Sequence, residues 1–165
     1  MYSASGNRIA AAYVTDADAV VEHKLYWMPV AGVSEGHYLA AILNSDVVMD
    51  RVIKLQSRGL FGARDIDTLP WRLPIPIFDP DNELHRSIAD LGESAASLAE
   101  TADLSTVAEF TAGRALVRAS LASAGVAAQI NGAVAELIGS GLVVVADDAP
   151  ADIEVISIAE AVEAI

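Results

Sequence analysis

The stretch from Tyr38 to Pro80, YLAAILNSDVVMDRVIKLQSRGLFGARDIDTLPWRLPIPIFDP, constrains the fold more than any other part of this chain. It combines helical apolar spacing with two glycines and with prolines at 70, 74, 76 and 80, so no single helix or strand can run through it. Tyr38, Leu39, Ile42 and Leu43 recur at helical spacing, with Ser34 as the expected N-cap. Asn44 and Ser45 compete with the backbone for hydrogen bonds and predict a break. Ser45 then caps a second helix, and Asp46 suits its positive start. Val47, Val48, Val52, Ile53 and Leu55 continue the apolar pattern.

Gly59 and Gly62 predict a loop, because glycine permits close backbone approach and positive φ. Leu69-Pro70 and the LPIP run at 73–76 predict extended chain at an edge. FDPDN predicts a turn, and Asp81 or Asn82 begins a third helix reaching about Ala102. Its buried stripe is expected to be Leu84, Ile88, Leu91, Ala95 and Leu98.

On the N-terminal side, RIAAAYV at 8–14 and AVVEHKLYWMPV at 19–30 read as strands joined by a TDAD turn. Val21, His23, Leu25 and Trp27 would share one face of the second. On the C-terminal side, Ser105 can cap an Ala-rich region from Val107 to Ile138. Gly113, Gly125 and Gly132 divide that region into two or three helices. LVVV at 142–145 reads as a short strand. IEVISI alternates like a strand, and AEAVEAI reads as a terminal helix.

The expected fold is α+β: a small N-terminal sheet that includes the LPIP segment, packed with several helices, and a helical C-terminal half. The expected units are 1–102 and an Ala-rich tail, 103–165. The expected core is Tyr13, Val21, Leu25, Leu39, Ile42, Leu43, Val48, Val52, Phe61, Ile66, Leu73, Ile75, Ile88, Leu91, Leu121, Ile130, Leu137 and Val144.

Composition removes several function classes. No cysteine is present, which excludes disulfides and thiolate metal sites and is compatible with a cytoplasmic setting. No uncharged apolar run is long enough for a membrane span. His23, His37 and His85 stand apart, without metal-ligand spacing. The phosphate-binding and nucleophile motifs of common enzyme classes are missing, so neither a cofactor nor catalysis is expected. DPDNE matches a calcium loop only loosely and reads better as a turn plus helix cap.

Charge is uneven. The formal net charge is −13, yet Arg51, Lys54, Arg58, Arg64, Arg72 and Arg86 lie within one short region, out of ten Lys and Arg in all. Two glycines bring backbone N–H groups near these cations, which is a workable phosphate-contact surface. The competing reading is a solvated helix face with salt bridges to Asp50, Asp65 and Asp67. The Ala-rich C-terminal helices read either as internal core or as a partner or homo-oligomer interface.

The run YLAAILNSDVV…IKLQSRGLFGARDIDTLPWRLPIPIFDPDNELHRSIADLGESA resembles the C-terminal target-recognition part of N6-adenine DNA methyltransferases. These are the restriction-modification enzymes of the Eco57I type and related phage-defence methylases. A shorter version of the layout is similar to type I restriction specificity subunits. The matching residues are Leu43-Asn44-Ser45, Gln56 to Gly59, Gly62, Arg64-Asp65-Ile66, Leu73 to Pro76 and His85 to Leu91. The resemblance covers about residues 8–102 and implies recognition of double-stranded DNA, with the glycine loop near the duplex. It places Arg51, Lys54, Gln56, Ser57, Arg58, Gly59 and Arg64 at the DNA.

The family's Asn/Asp-Pro-Pro-aromatic motif and its S-adenosylmethionine loop do not occur in this sequence. The resemblance therefore implies a recognition piece without methyl transfer of its own, working with a methyltransferase catalytic subunit or upstream domain. The alternative is a helical assembly module that touches no nucleic acid.

Overall fold

A computed structural model describes residues 1–16, 18–56, 58–59, 62–63, 65–105 and 107–139, with Arg58, Gly59, Gly62 and Ala63 described by backbone alone. The expectations placed on Ser57, Phe61, Arg64, Val144, the LVVV strand and the terminal segment lie outside the described residues.

The N-terminus forms a two-residue strand β1 (Tyr2–Ser3), antiparallel to β2 (Leu25–Tyr26), with Tyr2 opposite Tyr26. Residues 8–14 are not a strand: only Ala11 bridges Tyr2. The Ser3 N–H donates to the Ala10 carbonyl and the Ala12 N–H to the Met1 carbonyl, and the pairing stops there, while the N–H and carbonyl of Ala11, on the side away from β1, are taken by Asn44 at 3.0 and 2.8 Å. The second predicted strand shrinks to β2, and its faces are reversed. Tyr26 turns inward and stacks on Tyr2 with ring centroids 5.5 Å apart, whereas Leu25, Trp27 and His23 are exposed.

Helix α1 spans Val33–Asn44 and α2 spans Asp46–Leu55. Ser45 separates them as predicted. Its Oγ accepts from the Val48 N–H at 3.2 Å and donates to the Ile42 carbonyl at 2.7 Å. Ser34 does not cap α1; extended Gly32 holds that position without a side-chain bond. Two short strands follow, β3 (Arg58–Gly59) and β4 (Gly62–Ala63), paired as an antiparallel hairpin.

Leu69–Arg72 forms a 3-10 turn, not extended chain. Pro70 sits in its first turn, where no N–H is required. The LPIP segment pairs with no strand among the described residues, and the Ile75 N–H donates back to the Leu73 carbonyl at 2.7 Å, so it is not part of the sheet. Leu73 and Ile75 pack on the core instead, and the Tyr38 hydroxyl donates to the Pro76 carbonyl at 3.0 Å.

Helix α3 spans Glu83–Glu100 and begins at the Asn82 cap, whose Oδ1 accepts from Leu84 and His85 N–H groups. Glu109 precedes α4 (Phe110–Ser123), so Ser105 is not its cap. Gly125, at φ 77°, ends that helix in the left-handed region, and α5 (Val126–Gly139) follows. Gly113 and Gly132 lie inside helices and break neither.

The protein is thus mostly helical, with a small antiparallel two-stranded sheet at its N-terminus. Tyr38, Ile42, Val48, Val52, Ile66, Ile88 and Val134 are fully enclosed. Ile130, Val134 and Ile138 of α5 belong to the same core as α1–α3. A methyl group at Gly92 would stand 2.3 Å from the His37 carbonyl oxygen, so α1 and α3 touch backbone to backbone there.

Tyr13, Val21, Leu25 and Leu121 do not enter the core, while Tyr2, Ile9, Met49, Val134 and Ile138 do so without having been expected. Among the described residues no single helix is long and apolar enough to cross a membrane. Helices α4 and α5 together reach that length only across a 79° bend.

Candidate nucleic-acid interface

The last turn of α2 leads directly into the glycine hairpin. Gln56 is the hinge between them. Its N–H donates to the Val52 carbonyl at 3.0 Å and closes the helix. Its side-chain amide donates to the Asp65 carbonyl at 3.2 Å, on the far side of the hairpin. One side chain therefore ties the two ends of segment 57–64 together. In the hairpin, Arg58 pairs with Ala63, and Gly59 faces Gly62. A glycine pair carries no Cβ on either strand, which leaves backbone groups open to close approach.

The neck is anchored further. Ser5 bridges Asp65, and the N–H groups of Ile66 and Asp67 both donate to the Ala4 carbonyl, at 2.9 and 3.0 Å. Asp67 adopts φ 45°, a left-handed conformation rare outside glycine. Two tyrosines hold it: Tyr2 donates to its carbonyl at 2.7 Å, and Tyr26 donates to its carboxylate. Burial, more than any other cause, pushes the Tyr2 phenol up to about 12. A hydrogen bond with Trp71 works against that rise. The Tyr26 phenol is raised first by its bond to the Asp67 carboxylate and then by burial.

The predicted contact residues divide three ways. Lys54 is exposed at the end of α2, and Arg51 is half-buried, its guanidinium donating to the Val47 carbonyl at 3.2 Å. Among the described residues neither forms a salt bridge, and none reaches Asp50, Asp65 or Asp67 as the solvated-face reading expected. Gln56 is 5% exposed, and its side-chain amide donates to the Asp65 carbonyl across the base of the hairpin. Its Oε1 is buried without a partner among the described residues. Arg58 and Gly59 are placed by backbone in β3, while Ser57 and Arg64 lie outside the described residues.

Sequence reasoning missed the Tyr2–Tyr26–Asp67 clasp. Its partners are 41 and 65 positions apart, and no local spacing signals it.

The histidines serve structure. His85 is buried, accepts at Nδ1 from the Asp79 N–H at 3.0 Å, and lies 5.0 Å from the Tyr38 ring. His37 meets the edge of Tyr13, and exposed His23 sits beside Glu22. Among the described residues no cluster of three or more His, Cys, Asp or Glu is placed to hold a metal ion. No protein-family model matches this sequence, and neither a curated protein nor a solved structure shows significant similarity to it.

Proposed function

We propose that this chain is the DNA-recognition part of a restriction-modification or defence adenine methyltransferase system, and that it transfers no methyl group itself. The observation that carries this reading is the closed hairpin after α2. Its stem contains Arg58 and the facing Gly59 and Gly62, and its base is tied by Gln56 to Asp65. Exposed Lys54 lies one turn before it. A duplex is met by cations and open backbone N–H groups on a rigid support, and this segment concentrates those features.

The net charge of −13 makes the arrangement selective. Phosphate is repelled by the chain at large and can be accepted only where cations collect. The Leu43-Asn44-Ser45 break, the LPIP run at 73–76 and the Asn82-capped helix occur in the order the resemblance implies. Methyl transfer belongs, in this reading, to a catalytic subunit or domain.

Fluorescence anisotropy with a labelled duplex tests the proposal. Binding at about 50 mM salt should weaken steeply as salt rises. Replacing Arg58→Ala together with Arg64→Ala should lower the salt slope by about one per lost phosphate contact. Stability should change by less than about 1 kcal/mol. No binding at low salt by the folded chain would overturn direct contact. One observation favours a second reading, an assembly module: Phe110 on α4 is 76% exposed. Concentration-dependent light scattering without duplex binding would select it.

A further inference from the structure

A second feature is independent of the hairpin. A cleft of about 350 Å³ opens at the N-terminal end of β1. Tyr13, Val14, Trp27, Met28, Leu39 and Trp71 contribute to its walls, and Trp27 and Met28 are exposed. The pairing around β1 explains its place. On one side, the register of Ser3 with Leu25 and Tyr2 with Tyr26 runs on toward Trp27 and Met28. On the other, the Ser3 N–H donates to the Ala10 carbonyl and the Ala12 N–H to the Met1 carbonyl, a register that runs on toward Tyr13 and Val14. Met1 closes the inner end of the gap between these two flanks. The cleft is therefore a slot of strand shape, in line with β1.

We propose that this slot receives the carboxy-terminal end of an extended peptide from a partner protein, laid end to end against Met1. Backbone chemistry is the first argument. Antiparallel pairing uses both backbone groups of every second residue. The Ala4 N–H donates to the Lys24 carbonyl, so on the β2 side the bonded positions fall at Lys24, Tyr26 and Met28. On the other side they fall at Ala10, Ala12 and Val14. The N–H and carbonyl groups of Met28 and Val14 have no hydrogen-bond partner among the described residues. A strand laid between them takes all four.

Charge is the second argument. Among the described residues no carboxylate side chain lines the slot, and the Met1 ammonium is its one charged group. That ammonium donates to the Ala12 carbonyl at 2.9 Å and keeps two further N–H donors. Burial lowers its pKa, a cost that an adjacent carboxylate offsets. A chain terminus arriving along the slot meets this ammonium and the Met28 N–H together. Asp16, Asp18 and Glu22, between the two flanks in sequence, disfavour acidic side chains on the peptide, so its negative charge belongs at the terminus. Shape is the third argument. The walls are apolar and aromatic, which suits apolar final residues. A helix, about 10 Å across, would leave the Val14 and Met28 groups unmet.

The probe is the peptide acetyl-Lys-Val-Thr-Val with a free carboxylate, titrated into the isotope-labelled full chain and followed by amide shifts. Saturable shifts at Val14, Trp27 and Met28 are the expected result. The same peptide ending in an amide should bind at least about tenfold more weakly, because it loses a charge-assisted bond. Trp27→Ala, at an exposed position, should weaken binding while far-ultraviolet circular dichroism stays unchanged. Equal affinity for the acid and the amide would overturn the proposal, as would the same shifts from acetate alone. So would the absence of saturable shifts at millimolar peptide in a chain that circular dichroism shows to be folded. Shifts at these positions on concentrating the chain without peptide would also overturn it, because a second copy would then be the occupant.

Discussion

Helices α3 and α4 differ in how they are held. Helix α3 has an Asn82 cap, four buried residues including Ile88 and His85, and a glycine pressed against the α1 backbone. Helix α4 has no side-chain cap, buries only Gly113, and leaves Phe110 and Leu116 exposed. The contrast separates two kinds of apolar patterning. Large branched residues at helical spacing, as on α3, settle a helix in the core. Alanine-rich spacing, as on α4, gives a helix whose apolar side finds little to enclose it among the described residues.

Truncating both helices should expose the gap between them. Ile88→Ala removes methylene groups from a fully buried site and should cost about 2–5 kcal/mol by urea denaturation. Leu116→Ala, on the open face of α4, should stay within about 0.5 kcal/mol. Equal losses would mean that α4 is as deeply held as α3.

Gly92→Ala comes next. The added methyl meets the His37 carbonyl oxygen and Ala41, so α1 and α3 must separate. A loss of about 1–3 kcal/mol is expected, despite the better helix propensity of alanine. A gain in thermal midpoint would show that the contact yields.

The smallest effect belongs to the buried phenols. Burial raises both Tyr2 and Tyr38 to about 12, and both hydroxyls donate to backbone carbonyls. The folded chain keeps these protons longer than the unfolded chain, whose tyrosines titrate near 10. Their contribution is therefore complete below about pH 10 and declines as pH climbs toward 12. Tyr38→Phe should lose about 0.5–1.5 kcal/mol at neutral pH and flatten the alkaline decline. An unchanged pH profile would mean that the hydroxyl is solvated in the folded state.

The sequence was legible where the cause is local. The Asn44-Ser45 break, the Asn82 start and the Gly125 division rest on side chains acting within one turn of themselves. It was opaque where a distant group intervened. Residues 8–14 have strand composition, yet only Ala11 bridges Tyr2, and Asn44, 33 positions away, takes the N–H and carbonyl of Ala11 on its outer side. Ser34 is a good cap by type but sits two positions past the extended residue. At the candidate interface, the glycines and the exposed Lys54 were readable. The inward turn of Gln56 was not, because its partner lies across the hairpin.

The Gln56-to-Asp65 tie has a further consequence. A loop cinched at its base transmits little of its own length or composition to the scaffold. Positions 57–64 can therefore be lengthened, shortened or rewritten while both ends remain where the helix and the Ile66 core residue hold them. In the recognition role proposed above, new target preferences would be acquired by exchanging that short insert alone, as a tool changes its bit and keeps its handle.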